Sequence, residues 1–151
     1  GYDSHMFAAV LARQPARPLD FDQRIRAVRA FGEMDEAESL AAANKRIRNI
    51  LRKADSEIPA SCQQDLLQEP AEQALSAAVS ELQTTVEPLF QQRRYTDALR
   101  QLAALQAPVD AFFGQVMVMA EDQQLRDNRL ALLNSLSRLF LQVADISLLQ
   151  K

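Results

Sequence analysis

Five cations crowd into residues 45–53, and no Asp or Glu occurs between residues 39 and 54. On a helical wheel the apolar side chains of this stretch cluster on one side, and the polar ones occupy the opposite arc. The polar arc consists of Lys45, Arg46, Arg48, Asn49, Arg52 and Lys53. RNA phosphates require such a cationic strip, so this arc is a candidate RNA-binding surface. A solvated polar face, whose cations favour the C-terminus of the helix, explains the same pattern.

Two further arginines that could contact RNA, Arg126 and Arg129, flank Asn128 at the start of a second helical pattern. Arg129 projects to the side of Leu136, which is unusual for a plain core helix. A structural interpretation is that Arg129 runs its stem along the core or pairs with a carboxylate. Asp122 stands four residues before Arg126, the spacing of an ion pair within a helix. We favour these structural roles for the two arginines.

Adjacent aromatic rings at Phe112 and Phe113 could stack on unpaired bases, a common means of holding single-stranded RNA. Neighbouring aromatics on an apolar helix more often place at least one ring in the core, so we predict core positions for both first. Arg100 could reach RNA or pair with Asp97, and we favour the pairing.

The residue types argue against a catalytic or metal centre. The single histidine, His5, lies within residues 1–6, which we interpret as the remnant of an expression tag. Without it, histidine general bases and histidine metal ligands are lacking. Cys62 is the only cysteine, so no internal disulfide can form, and we interpret it as an inert apolar residue. Lys45 and Arg46 follow no glycine-rich turn and therefore do not form a phosphate-binding loop.

Composition favours one helical domain. The chain has 151 residues, of which 48% are hydrophobic and 25% charged, with three glycines and no tryptophan. Few glycines and many Ala, Leu, Gln and Arg favour helices over sheets. Residues 55–92 carry seven acids and no base, whereas bases exceed acids in residues 1–54. We predict an all-α fold, a compact antiparallel bundle of about six or seven helices, spanning residues 7–151.

Local signals divide the chain into helices. The predicted boundaries are a helix from Asp20 to Gly32, one from Glu36 to Ala54, one opened by Pro70, one capped by Thr96 and one begun by Pro108. Along the last helix, Leu132, Leu136 and Leu139 are predicted to face the core and Asp145 the solvent. The acids of the Pro70 helix, among them Glu72, argue against an RNA-binding face there. Met117 and Met119 are predicted to fill the core.

Several stretches closely resemble the C-terminal end of the beta subunits of bacterial glycyl-tRNA synthetases. The most specific are PVDAFFGQVMVMAED at residues 108–122, LRDNRLALL at 125–133 and LFLQVADISLL at 139–149. Residues 97–100 read DALR, the string that names a helical anticodon-binding domain of class I synthetases. The resemblance extends to PLDFDQRIRAVRAF and AAANKRIRNILRKA and is loosest between residues 55 and 70.

The resemblance implies a DALR-type anticodon-binding domain, a C-terminal fragment of a longer subunit, that recognises and positions tRNA-Gly. It further implies the rest of the beta subunit and the alpha subunit as partners, a cytoplasmic location and no membrane. ATP and Mg²⁺ would serve the whole glycine–tRNA ligase through the alpha subunit, while this fragment holds no cofactor and no catalytic site. An alternative function is a structural domain that packs against other parts of the synthetase.

Overall fold

The computed structural model describes residues 4–11, 18–54 and 57–149, and within these ranges all regular secondary structure is helical. The α-helices are α1 (Ser4–Leu11), α2 (Pro18–Gly32), α3 (Ala37–Arg52), α4 (Pro70–Gln91), α5 (Tyr95–Leu102), α6 (Gln106–Gln115) and α7 (Gln123–Leu141). Short 3₁₀ helices lie at Gln64–Leu66, Ala103–Leu105 and Ile146–Leu149. The predicted all-α fold class is confirmed. Of the expected tag remnant, residues 1–3 lie outside the described ranges and residues 4–6 belong to α1.

Two of the predicted helix boundaries are confirmed, but α2 begins at Pro18 rather than Asp20 and α6 at Gln106 rather than Pro108. Gly32 ends α2, and Pro70 opens α4 at the position where a missing N–H costs nothing. Glu69 and Glu72 form a reciprocal capping box at the start of α4, in which each side chain accepts a backbone N–H of the other. The Glu72 carboxylate is therefore folded back over the helix start, and this residue is fully buried.

The predicted cap of α5 is wrong. The helix begins at Tyr95 with Arg94 as its N-cap, two residues before the N-cap predicted at Thr96. Tyr95 is buried, and its hydroxyl donates a hydrogen bond of 2.5 Å to Asp20 of α2. The first residue of α5 is therefore held by a hydrogen bond to α2, and the helix start has no side-chain cap.

One hydrophobic core joins the helices. The rings of Phe31 in α2 and Phe140 in α7 are 6.3 Å apart, and both are almost completely buried. Burial of a side chain of this size stabilises the fold by roughly 1.5–3 kcal/mol. The predicted core positions of α7 are confirmed, because Leu132, Leu136 and Leu139 are all buried.

The prediction that Met117 and Met119 fill the core is wrong. Their exposed fractions are 70% and 51%, whereas Val116 and Val118 are buried. The reason is that α6 ends at Gln115 and Val116 has extended backbone angles. Residues 118 and 119 form a turn, so the helical periodicity that predicted core positions for the two methionines does not apply here.

The solvent-facing position predicted for Asp145 is also wrong, since this residue is buried. Because α7 ends at Leu141, Asp145 lies in the turn that follows, where helical periodicity no longer applies. Its backbone N–H donates to the carbonyl oxygen of Ala9 at 3.0 Å. Its carboxylate forms an ion pair with Arg48 of α3. The turn after α7 thereby connects α1 with α3.

Candidate nucleic-acid interface

Helix α3 separates its cations from its apolar side chains, as the wheel predicts. Leu40, Ala43 and Ile47 are buried, and α3 packs against α7 and the 3₁₀ helix Ile146–Leu149. The side chains on the other face that are exposed are Lys45, Arg46, Arg48, Arg52 and Lys53, and Asn49 beside them is half-buried. The structure therefore brings the first six predicted site residues onto one side of one helix.

A shallow groove of about 310 Å³ follows the exposed side of α3. Its lining residues are Ala42, Lys45, Arg46, Asn49, Ile50 and Lys53. They recur at three- and four-residue intervals and so form a single stripe along the helix. Apolar side chains thus lie beside three cations, a combination that suits a nucleic-acid strand with its phosphates and flat bases.

Arg46 does not form an ion pair within the described residues but lies over the ring of Phe113. Its guanidinium carbon is 4.3 Å from the ring centroid. The Phe113 ring is half-buried and meets Phe112 edge-to-face at 5.6 Å and 81°. Phe112 itself is fully buried. The core position predicted for Phe112 is confirmed, whereas Phe113 is only partly buried, packing against the core on one side and contacting Arg46 on the other.

Two other cations of α3 contact neighbouring polar groups. Arg48 pairs with the buried carboxylate of Asp145, while 51% of the Arg48 side chain stays exposed. Arg52 donates a hydrogen bond of 2.7 Å to the Oδ1 atom of Asn49. Neither Arg48 nor Arg52 lines the groove. The positive charge of the groove therefore comes from Lys45, Arg46 and Lys53.

Arg129 at the start of α7 is in a different environment, with only 6% of its side chain exposed. Its Nη2 atom donates to Oε1 of Glu72 at 2.9 Å, and its Nη1 atom donates to the carbonyl oxygen of Met117 at 2.6 Å. The same Oε1 atom also accepts the backbone N–H of Glu69 at 3.0 Å. This arrangement is the carboxylate pairing weighed for Arg129, and it withdraws the guanidinium from the surface.

Arg126 is half-buried on the first turn of α7, and the ion pair expected between it and Asp122 is replaced by a helix cap. The Asp122 carboxylate accepts the backbone N–H groups of Gln124 at 2.9 Å and Leu125 at 3.3 Å. These donors have no partner within the helix, so the cap satisfies them. Neither Arg126 nor Arg129 therefore lines the groove of α3.

Asn128 has a role that no sequence pattern indicated. Its side chain exchanges two hydrogen bonds with the backbone of Gln63, from the Gln63 N–H to Oδ1 at 2.6 Å and from Nδ2 to the Gln63 carbonyl at 3.0 Å. These bonds fasten the segment before α4 to α7. The only hint of this role in the sequence was that Asn128 is a polar residue on a helix face that packs inward.

Neighbouring Cys62 is half-buried, and burial raises the pKa of its thiol, which keeps it protonated and unreactive at neutral pH.

The side chains that line the groove are those of Lys, Arg, Asn, Ala and Ile. Among residues 4–11, 18–54 and 57–149, no cluster of three His, Cys, Asp or Glu side chains could hold a metal ion. No helix within these ranges is long and apolar enough to cross a membrane. The groove itself presents ammonium, guanidinium and amide groups, which bind anions and bases.

Comparison with known proteins gives a consistent result. A sequence model described as the DALR anticodon binding domain matches residues 40–149. The glycine–tRNA ligase beta subunit of Aeromonas salmonicida is 57% identical over 150 residues, which is 99% of this chain and 22% of that protein. The beta subunit of Vibrio atlanticus is 56% identical over 151 residues, again 22% of its length. This chain therefore spans about a fifth of the length of the curated relatives it matches.

Proposed function

Because this chain belongs to the DALR anticodon-binding domain family, we propose that it recognises the anticodon arm of tRNA-Gly and positions that tRNA in a glycine–tRNA ligase. The observation that carries the proposal is the groove of α3, where three cations line one stripe without an acid. We propose the rest of the beta subunit and the alpha subunit as protein partners, and the cytoplasm as the location. ATP and Mg²⁺ would act in the alpha subunit, and this chain would contribute no catalytic residue.

The charges of α3 support binding of an RNA backbone. Each lysine or arginine that neutralises a phosphate releases condensed counterions, which favours association. Lys45 and Lys53 stand eight residues apart on the same stripe, a distance of about 12 Å along the helix axis. A strand lying in the groove can therefore meet a cation at each end and Arg46 between them.

The proposed contribution to the reaction is positioning. An anticodon arm held by this domain restricts the translation and rotation of the whole tRNA before its acceptor end reaches a distant catalytic site. Restricting a reactant in this way converts binding energy into rate, since less entropy remains to be lost in the transition state.

A second function, packing against another part of the synthetase, is favoured by apolar side chains near the start of the chain. Leu11 and Leu19 are 57% and 60% exposed, and Phe7 is 42% exposed with its ring 5.8 Å from that of Phe21. Exposed apolar groups on neighbouring helices are typical of a surface that a partner covers. This surface lies on α1 and α2, apart from the groove of α3, so the two functions are compatible.

The test is a titration of this chain with tRNA-Gly and with the same tRNA carrying a changed anticodon, at two salt concentrations. We expect binding that weakens with salt and with the anticodon change. The double variant Lys45→Ala/Lys53→Ala should lower the slope of log affinity against log salt by about 1.5. A matched control, Arg26→Ala/Arg100→Ala, removes the same charge from exposed positions on α2 and α5. Equal losses in both variants would show only nonspecific attraction, and no binding of tRNA-Gly would contradict the proposal.

A further inference from the structure

We propose that Arg46 and Phe113 form a stacking platform for one unpaired base of the bound RNA. This inference rests on the proposed function and adds a specific contact to it. The guanidinium of Arg46 would contact the base through the face that points away from Phe113. Lys45 and Lys53, which line the same groove, would bind the phosphates on either side of that base.

The geometry prepares Arg46 for such a contact. One face of its guanidinium is covered by the Phe113 ring at 4.3 Å, and Phe113 is in turn supported edge-on by the fully buried Phe112. A long side chain normally loses rotamer freedom when it binds a ligand. Here the cation–π contact has already restricted Arg46 in the free protein, so less of that loss remains on binding.

The surroundings favour a base over a carboxylate as the ligand of this platform. Arg46 is exposed, and within the described ranges its guanidinium forms no ion pair, in contrast to Arg48 and Arg129. Guanidinium planes and aromatic rings are the groups on which unstacked RNA bases rest. Ala42 and Ile50 add apolar surface in the same groove, which suits the flat face of a base rather than a second charge.

A competing role for Arg46 is a simple phosphate contact, and charge-conserving variants separate the two. Arg46→Lys keeps the positive charge but removes the flat plane. Phe113→Leu keeps an apolar side chain on the core but removes the ring that supports Arg46. Lys45→Ala is the matched control, because it removes charge from the same groove and leaves the platform intact. Thermal melting of each variant establishes that it is folded.

The probe is the anticodon stem-loop of tRNA-Gly with a fluorescent base analogue at each loop position in turn, 2-aminopurine for purines and pyrrolocytosine for pyrimidines. We expect binding to change the fluorescence at one loop position, because stacking quenches these analogues. Arg46→Lys and Phe113→Leu should each abolish that change and weaken binding by about tenfold, with the salt slope retained. Lys45→Ala should reduce the salt slope and keep the fluorescence change.

Two results would overturn the platform while leaving the proposed function standing. One is salt-dependent binding with the same affinity and fluorescence in Arg46→Lys, Phe113→Leu and the unmodified chain. The other is weaker binding by Arg46→Lys with the fluorescence change retained, which would make Arg46 a phosphate contact only. Failure of the unmodified chain to bind the stem-loop at either salt concentration would instead refute the proposed function, and the platform with it.

Discussion

Arg129 in α7 and Arg46 in α3 are the same residue type on two helices of one domain, and the fold places them in opposite environments. Arg129 meets the buried carboxylate of Glu72 and a backbone carbonyl, and 6% of its side chain remains exposed. Arg46 meets the uncharged ring of Phe113 and stays at the surface. The charge of Arg129 is neutralised by a buried acid, whereas that of Arg46 remains exposed, as the proposed platform requires.

The largest effect that distinguishes the two regions should come from Arg129→Met. Removing the guanidinium leaves the carboxylate of Glu72 buried without its cation, a loss of about 3–5 kcal/mol in the free energy of unfolding. Chemical denaturation measures this loss, and Arg46→Met on the surface is the control, with a change of at most about 0.5 kcal/mol. Equal stability of the two variants would show that Arg129 does not brace the fold.

Arg46→Ala combined with Arg52→Ala is expected to weaken RNA binding while leaving the stability of the fold nearly unchanged. Because both side chains are exposed on α3, we expect the affinity for tRNA-Gly to fall by more than about tenfold, with a nearly unchanged melting temperature. Filter binding at low salt and thermal melting give the two readouts. If the double variant bound tRNA-Gly as tightly as the unmodified chain, the strip of α3 would be a solvated face after all.

Asp122 provides a smaller test at the start of α7. Asp122→Ala should lower the free energy of unfolding by about 1 kcal/mol, since two backbone N–H groups lose their acceptor. Asp122→Asn keeps an acceptor at the cap and should retain most of the stability. If the carboxylate acted mainly through an ion pair with Arg126, Asp122→Ala and Asp122→Asn would lower the free energy of unfolding equally. Arg126→Ala would then lower it by the same amount.

The smallest expected change in stability comes from Asp20. Its ion pair with the half-buried Arg24 is intermediate between the buried pair of Arg129 and the exposed position of Arg46. Burial raises the pKa of Asp20, but hydrogen bonds from Tyr95 and Arg24 outweigh it, so the pKa lies below its usual value. A carboxylate with a lowered pKa stabilises the fold above the pKa of the unfolded chain, and this stabilisation disappears as pH falls through the folded value.

The expected outcome is a difference in stability between the unmodified chain and Asp20→Asn that is constant near neutral pH and shrinks below about pH 4. Urea denaturation at a series of pH values measures it. Asp22→Asn is the matched control, because the Asp22 pair with Arg26 is exposed on the same helix. A difference that grew on acidification would mean that the folded chain binds the Asp20 proton more tightly than the unfolded chain does.

The sequence by itself determined the helical class, the C-terminal end of α2, the start of α4, and the division of α3 into an apolar and a cationic face. These features depend on residues a few positions apart. Periodicity requires only the 3.6-residue turn, and Gly32 and Pro70 act on their own backbone. The family resemblance likewise needed only the order of residues, and the match to residues 40–149 confirms it.

Tertiary structure alone decided which charged residues are buried and which are exposed. Glu72 and Arg129 are 57 positions apart, and Arg48 and Asp145 are 97 apart, so no local pattern could pair them. The same holds for Phe113, which reaches Arg46 only because α6 packs beside α3. Burying a charge is costly unless a partner meets it, and whether a partner meets it depends on how distant segments pack.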